Sequence, residues 1–368
     1  MNEKQIRLKT ISIEGYKSFG QKQEVNLGQI NILIGANGVG KSNFLSIFAL
    51  MANIMNANLQ DYVLRQGGAD TFFYKGLQVS DKINLKFEFD NKFGYQFTLE
   101  PAKPRDVVMT HEDLLKQGKP TPALRSFNSV KAHPESVVAN RKIPYAGIMG
   151  IGEYLKQSLV YHFADTSDFA KIRGRVYKND NLALSGDGRN LAAYLYKIKT
   201  NYPIYYDRII QRIGMVMPQF GEFILSSTSV SDQDVNLDWA EKVSRRVFRA
   251  DQISDGALRY IGLTTLLLQP PEYLPPLLII DEPELGLHPE AIIDLLGMVK
   301  IASQHSQIII ATQSPYLLDC AELGQITVVE RDSQGTITKR LKETDFSEWL
   351  SEYSVSEIWE KNLLGGCP

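Results

Sequence analysis

Hydrophobic and polar positions alternate from Ile6 to Glu14, the pattern of a half-buried strand. Val25 to Leu27 and Ile30 to Ile34 continue it, and Asn43 to Met55 changes to helical spacing. Ile83 to Phe89 and Phe93 to Leu99 alternate again around Asp90-Asn91-Lys92, which predicts a hairpin. The opening reads as an antiparallel sheet beside a strand–loop–helix unit. Prolines then become frequent, at Pro101, Pro104, Pro120, Pro122, Pro134 and Pro144. Helical pieces are expected at His111 to Gln117, Gly152 to Tyr161 and Asn190 to Ile213, the last interrupted at Pro203. Farther on, Ser254 to Leu268, Pro289 to Ser303 and Tyr316 to Cys320 read as helices. Leu277 to Ile280, Gln307 to Ala311 and Ile326 to Glu330 read as buried strands between them. Strands alternating with helices predict a mostly parallel core sheet. The expected organisation is α/β in three parts: an N-terminal lobe over 1–100, a mainly helical insertion over 101–250 and a C-terminal lobe over 251–368. No internal repeat, low-complexity segment or dominant heptad array stands out.

Composition narrows the classes. A chain of 368 residues supports a large core. Lys and Arg number 40 against 42 Asp and Glu, so only local patches could favour a polyanion. No stretch approaches the roughly 20 apolar residues needed to span a bilayer. Met1 to Thr10 lacks the apolar core of a signal peptide. Cys320 and Cys367 are too few for a disulfide framework or a zinc site. The expectation is a soluble cytoplasmic protein without a membrane partner.

Two segments carry chemistry. Gly35-Ala36-Asn37-Gly38-Val39-Gly40-Lys41-Ser42 lies between a strand and a helix, the setting of a phosphate loop. Glycines let successive N–H groups turn inward around phosphate oxygens, and the helix N-terminus adds partial positive charge. Lys41 is placed to reach the β- and γ-phosphates and Ser42 to ligate Mg²⁺. Leu277-Leu278-Ile279-Ile280-Asp281-Glu282 is a buried strand ending in two carboxylates. Asp281 there suits the Mg²⁺ shell and Glu282 the attacking water.

Asp281-Glu282-Pro283-Glu284 followed by Leu285-Gly286-Leu287-His288-Pro289 resembles the Walker B and D-loop of ABC-type ATPases. The chain most resembles stand-alone RecF/SMC-like ATPases of the AAA_21/OLD-like group, without a fused nuclease domain. Ser254-Asp255-Gly256-Ala257-Leu258-Arg259 resembles their degenerate signature, and Ala311-Thr312-Gln313-Ser314-Pro315 their switch. Tyr161-His162-Phe163-Ala164-Asp165-Thr166-Ser167, Gly188-Arg189-Asn190-Leu191 and Trp359-Glu360-Lys361-Asn362 resemble markers of the same group with no assigned chemistry.

The resemblance implies a P-loop NTPase of ABC-head type with an N-terminal antiparallel β subdomain. It implies an ATPase using ATP and Mg²⁺, with Asn37, Gly38, Val39, Gly40, Lys41, Ser42 and Asn43 on the nucleotide. Ser42 and Asp281 would hold the metal, and Glu282 and Gln313 would serve hydrolysis. Ser254 and Gly256 would reach the γ-phosphate from a second copy, making an ATP-sandwiched homodimer that could build higher oligomers. Taken alone Ser254 reads first as an N-cap; the other motifs favour the nucleotide role, and both readings are compatible because capping also presents the amides. The resemblance also implies control of a separate nuclease or other effector chain, in DNA repair or anti-phage defence. The alternatives are an ATP-gated nucleic-acid-binding scaffold with little turnover and a transporter nucleotide-binding subunit. The long insertion between Lys41 and Ser254 speaks against the transporter.

Two positions depart from the pattern. Gln313 stands where a switch histidine is common, and a glutamine cannot titrate. Gln66 is the candidate for the Q-loop glutamine, and it reads more simply as a polar turn residue; His288 reads as a D-loop or packing histidine. Lys171, Arg173, Arg175, Lys178, Arg189, Lys197, Lys199, Arg208 and Arg212 are interleaved with tyrosines, and Lys242, Arg245, Arg246 and Arg249 form a second basic cluster. Such runs can bind the phosphate backbone of DNA or RNA, and more often form solvated surface with packed tyrosines.

Overall fold

The computed structural model describes residues 6–103, 105–121, 132–140, 146–167, 169–225, 233–346, 349 and 352–366. They form two compact units. The first comprises Met1–Val160, Pro275–Ile279 and Gln307–Pro368; the second comprises Tyr161–Leu274 and Ile280–Ser306.

The first unit holds an antiparallel sheet of β1 (Leu8–Glu14), β2 (Gln23–Asn26), β4 (Ile83–Phe89), β5 (Phe93–Lys103), β6 (Asp106–Lys116) and β7 (Lys119–Pro120), ordered β2-β1-β4-β5-β6-β7. Its register sets Ile11 opposite Phe87 and Ile13 opposite Leu85. Leu85 in turn lies opposite Phe97, so alternate positions supply one apolar face.

A second sheet contains β3 (Ile30–Ile34), β8 (Leu159–Tyr161), β14 (Leu277–Asp281), β15 (Gln307–Thr312), β16 (Ile326–Asp332) and β17 (Gly335–Arg340), ordered β17-β16-β3-β15-β14-β8. β3 runs parallel to both β15 and β16, as the alternation of strands and helices predicts, and β17 returns antiparallel as a hairpin. β3 is buried along its whole length, apolar except for Asn31, whose amide donates to Gly28 O and Ile308 O at 3.0 Å each. Side chains such as Ile13, Phe48, Leu85, Phe97, Ile279 and Val329 share one core.

A buried polar bolt crosses that core. Gln307 Nε2 donates to the carbonyls of Leu8 (2.8 Å) and Gly28 (2.7 Å). Its Oε1 accepts from Leu8 N (2.9 Å) and the Tyr154 hydroxyl (2.5 Å). Every strong hydrogen-bonding site of the amide is occupied, so its burial carries no orphan penalty.

The helices of this unit are α1 (Lys41–Met55), α2 (Leu59–Arg65), α3 (Val137–Asn140), α4 (Ala146–Lys156), α9 (Pro315–Asp319) and α10 (Val355–Glu360). The second unit contains α5 (Leu191–Asn201), α6 (Pro203–Val216), α7 (Asp255–Leu268) and α8 (Pro289–Ala302). Two small sheets accompany them: β10 (Phe220–Ile224), β12 (Asp238–Glu241) and β13 (Val247–Phe248) form one, β9 (Val176–Tyr177) and β11 (Asp234–Val235) the other. Pro203 opens α6 at its first turn, where its missing N–H costs nothing, so α5 and α6 are separate helices. Trp239 stacks between Phe220 and Phe248, with ring centroids at 5.8 and 4.7 Å.

Three local expectations are corrected. His111 to Gln117 is not helical; all but Gln117 lies in β6, which bonds along its length to β5. The adjacent Leu114-Leu115 pair breaks the two-residue alternation expected of a strand, and non-local pairing overrides that local pattern. Gly152 to Tyr161 divides into the end of α4 and strand β8. The described residues of 101–250 are therefore not mainly helical. They contribute β6 and β7 to the antiparallel sheet and mix α5 and α6 with β9 to β13.

Candidate functional site

The phosphate-loop residues lie in the first unit, between β3 and α1. Gly35, Gly38 and Gly40 all have positive φ, at 155°, 76° and 123°. At Gly35 a Cβ would stand 2.2 Å from Val329 O, and at Gly40 one would stand 2.2 Å from Thr336 Oγ1. Neither position has room for a side chain, which ties the glycine spacing to sterics as well as to backbone conformation. Gly40 also serves as the N-cap of α1 with no side-chain cap, so the helix's first amides face the loop.

Lys41 is 6% exposed, and its ammonium donates to Gly35 O (2.5 Å) and Ala36 O (3.0 Å). A buried cation thus closes the loop on itself, while Asn37, Gly38 and Ser42 are exposed. Thr336 Oγ1 braces the loop from β17, 2.6 Å from Val39 O and 2.8 Å from Ser18 Oγ. Asn43 donates to the same Ser18 hydroxyl at 2.9 Å. At the end of β15, Gln313 Nε2 donates to Asn37 Oδ1 at 2.7 Å, joining the switch segment to the loop.

Beside α1's first turn opens a cleft of about 430 Å³, lined in part by Lys17, Ser18, Asn43, Tyr74, Lys75 and Arg331. Of these, sequence reasoning named Asn43 and missed the rest. Lys17 and Lys75 adopt left-handed backbone, φ 48° and 54°, in turns with no strong motif. The Lys17 ammonium stands over the rings of Tyr16 and Phe72 at 5.5 and 5.7 Å, and burial lowers its pKa. Gln66 caps the end of α2, where its carbonyl accepts from Thr71 Oγ1 at 3.1 Å.

The carboxylates and the signature segment belong to the second unit. Asp281 ends β14, and Glu282 follows with φ 47°, a left-handed conformation rare for a glutamate. His162 Nδ1 lies 3.2 Å from Asp281 O and 3.9 Å from Asp281 Oδ2. Nothing in the sequence motif assigns that histidine to the strand end. Ser254 is the N-cap of α7, accepting from Ala257 N at 3.4 Å. Gly256 packs so closely on the D-loop that a Cβ there would stand 2.3 Å from Gly286 O. His288 caps α8 through Nδ1, 3.4 Å from Glu290 N.

Two arginines tie the segment after β8 to these motifs. Arg259 of the signature helix donates to Phe163 O (3.0 Å), Ala164 O (2.6 Å) and Leu285 O (2.8 Å). Arg173, its side chain 5% exposed, donates to Thr166 O (2.9 Å), Ala250 O (2.6 Å) and Ile253 O (2.8 Å) and pairs with Asp255 (2.9 Å). Its guanidinium is a structural fastener held within the fold, whereas the sequence reading places it in a basic face.

Other cations of that segment are also engaged. Arg175 pairs with Asp234 at 2.9 Å, and Arg212 with Asp294. The Lys178 and Lys197 ammoniums lie over Tyr196 (5.0 Å) and Tyr273 (3.7 Å), so the tyrosine interleaving reflects packing. In the second basic cluster, the Arg245 and Arg249 side chains are 72% and 79% exposed. Among the described residues no cluster of three His, Cys, Asp or Glu side chains could hold a metal, and no helix is long and apolar enough to cross a membrane.

Comparison with known proteins gives two family matches. The model described as "AAA ATPase domain" matches residues 7–211, and the one described as "AAA domain, putative AbiEii toxin, Type IV TA system" matches residues 156–319. Human structural maintenance of chromosomes protein 2 is 39% identical over 118 residues, 28% of this chain and 9% of that protein. The chromosome partition protein Smc of Desulfitobacterium hafniense is 28% identical over 109 residues, 28% of this chain and 8% of that protein. The chain therefore spans less than a tenth of these relatives' length.

Among solved structures, an Smc head bound to the C-winged helix domain of ScpA superposes with TM-score 0.60 at 14% identity, covering 93% of this chain and 99% of that one. An Smc head with an extended coiled coil, bound to the C-terminal domain of ScpA derived from Pyrococcus furiosus, gives 0.54 at 14% identity, covering 94% and 99%. The fold is thus the P-loop ABC-type fold of SMC heads, with its antiparallel sheet.

Proposed function

From the premise that this chain belongs to the AAA ATPase domain family and is an SMC-like ATPase, we propose that it binds Mg²⁺-ATP through residues 37–43 and couples hydrolysis to dimerisation. The observation that carries the reading is the buried Lys41 enclosed by positive-φ glycines at an uncapped helix N-terminus. That arrangement suits a triphosphate: inward amides, a helix end and one cation, with the loop's tip open to solvent.

The loop amides and Lys41 hold the β- and γ-phosphates. By their motif positions Ser42 and Asp281 would hold the cation, their hydroxyl and carboxylate oxygens being of the kind that Mg²⁺ takes. Bound there, Mg²⁺ would neutralise charge developing on the phosphates. Glu282 orients water and takes its proton as the water oxygen attacks the γ-phosphorus and ADP departs with the bridging oxygen. Gln313, already bonded to Asn37, supplies a neutral donor at the switch. Ser254 and Gly256 at the start of α7 contact the γ-phosphate of a second copy's nucleotide.

The dimer in turn governs a separate effector chain, in DNA repair or anti-phage defence. Support comes from relatives: one matching family model is described by a toxin–antitoxin system, and two similar heads are bound to domains of ScpA. The test compares Lys41→Ala with Glu282→Gln. Lys41→Ala should weaken ATP binding by at least about tenfold, the equivalent of one charge-assisted hydrogen bond. Glu282→Gln should bind ATP normally and hydrolyse it at least about a hundredfold more slowly. Wild-type ATP affinity in folded Lys41→Ala would reject the loop assignment.

A further inference from the structure

We propose that His162 is a positioning residue for ATP hydrolysis, holding the Asp281–Glu282 peptide so that the Glu282 carboxylate is aimed. This rests on the reading of Glu282 as the residue that acts on water. The Asp281 carbonyl and the Glu282 N–H belong to one peptide plane. The left-handed φ of Glu282, 47°, is a rotation about the bond adjoining that plane. A non-glycine residue stays in that region only when its surroundings over-determine it. His162 Nδ1, 3.2 Å from Asp281 O, grips the plane directly. A carbonyl can only accept, so Nδ1 carries the proton and the ring's tautomer is fixed.

The other end of the turn is held by the same assembly. Leu285 N donates to Glu282 O at 3.3 Å, and Leu285 O accepts from Arg259 Nη1 at 2.8 Å. The guanidinium also holds Phe163 O and Ala164 O, the two residues after His162. His162 itself is anchored by its N–H to Gly186 O at 2.8 Å. One arginine thereby references both the histidine's backbone and the D-loop, and the imidazole closes the loop at the peptide before Glu282.

The test exploits donor reach. An asparagine places its side-chain N–H₂ near where Nδ1 stands; a glutamine places it near Nε2. His162→Asn should keep kcat within about threefold of wild type, while His162→Gln and His162→Ala should lose about tenfold, the worth of one aligned hydrogen bond. KM for ATP, nucleotide binding and Tm should be unchanged in all three, because the residue acts on the aim of a carboxylate and not on the phosphate loop. In a Glu282→Gln background, His162→Ala should lower the residual rate no further. Equal kcat for His162→Asn and His162→Gln overturns the inference, as does a loss confined to KM; that amide pair decides the matter if His162→Ala misfolds. Wild-type turnover in Glu282→Gln would remove the catalytic reading and this inference together. An impaired Glu282→Gln beside full kcat in His162→Gln would remove this inference alone.

Discussion

Glu282 joins a conformational cost to a chemical task. A glutamate at φ 47° sits where glycine is normally favoured. Its left-handed turn directs the chain from β14 toward the D-loop. Glu282→Gly should therefore be neutral or stabilising by up to about 1 kcal/mol, despite the flexibility added to the unfolded chain. It should also abolish turnover. Urea denaturation beside a phosphate-release assay checks both parts; a destabilised Glu282→Gly would mean that the lost side-chain contacts outweigh the relieved strain. Adjacent carboxylates after an apolar strand were readable from sequence, because burial of Leu277 to Ile280 and the charge that follows are local. The φ of Glu282 and the approach of His162 were not, because they depend on residues 119 positions apart meeting through the fold.

Among the elements, the segment between β8 and α7 shows why charge patterning misleads. Its arginines and lysines look like one basic face in sequence. In the fold Arg173 is buried against three carbonyls and Asp255, and lysines lie over tyrosine rings. Arg173→Ala would leave Thr166 O, Ala250 O and Ile253 O without these bonds. It should cost about 2–4 kcal/mol in global stability. Arg245→Glu with Arg246→Glu, beyond the end of β12, should cost only about 0.5 kcal/mol. If this cluster meets a nucleic-acid backbone, the same double substitution should weaken binding and flatten its salt dependence, measured by fluorescence anisotropy across ionic strength. Unaltered binding by the double variant would exclude the cluster from the contact.

The strand–loop–helix unit, the hairpin of β4 and β5 and the parallel β3 and β15 were legible because local periodicity and glycine spacing specify them. β6 was not: its regular structure comes from pairing with β5, and no short-range pattern announces a partner strand.

For the whole molecule, the division of motifs between two compact units is the organising fact. The phosphate loop and Gln313 lie in one; Asp281, Glu282, Ser254 and Gly256 lie in the other. Within the second, Gly256 is packed on Gly286 and Arg259 grips Leu285, so signature helix and D-loop are braced as one piece. Ser254 already satisfies the amide of Ala257 as an N-cap, and capping geometry presents the first amides of α7 outward. On the proposal, those amides meet a second copy's γ-phosphate. A carboxylate-to-amide change that slows hydrolysis should then accumulate the nucleotide-bound dimer. Sedimentation of Glu282→Gln should give monomer without nucleotide and dimer with Mg²⁺-ATP. Adding Ser254→Arg should abolish the ATP-dependent dimer by placing a bulky side chain at the contact, while ATP binding, which rests on Lys41 and the loop amides, should persist. A dimer present in both backgrounds without ATP would show that assembly is constitutive and that nucleotide acts on an existing complex. An ATP-dependent dimer that survives Ser254→Arg would instead remove the signature contact from the proposal.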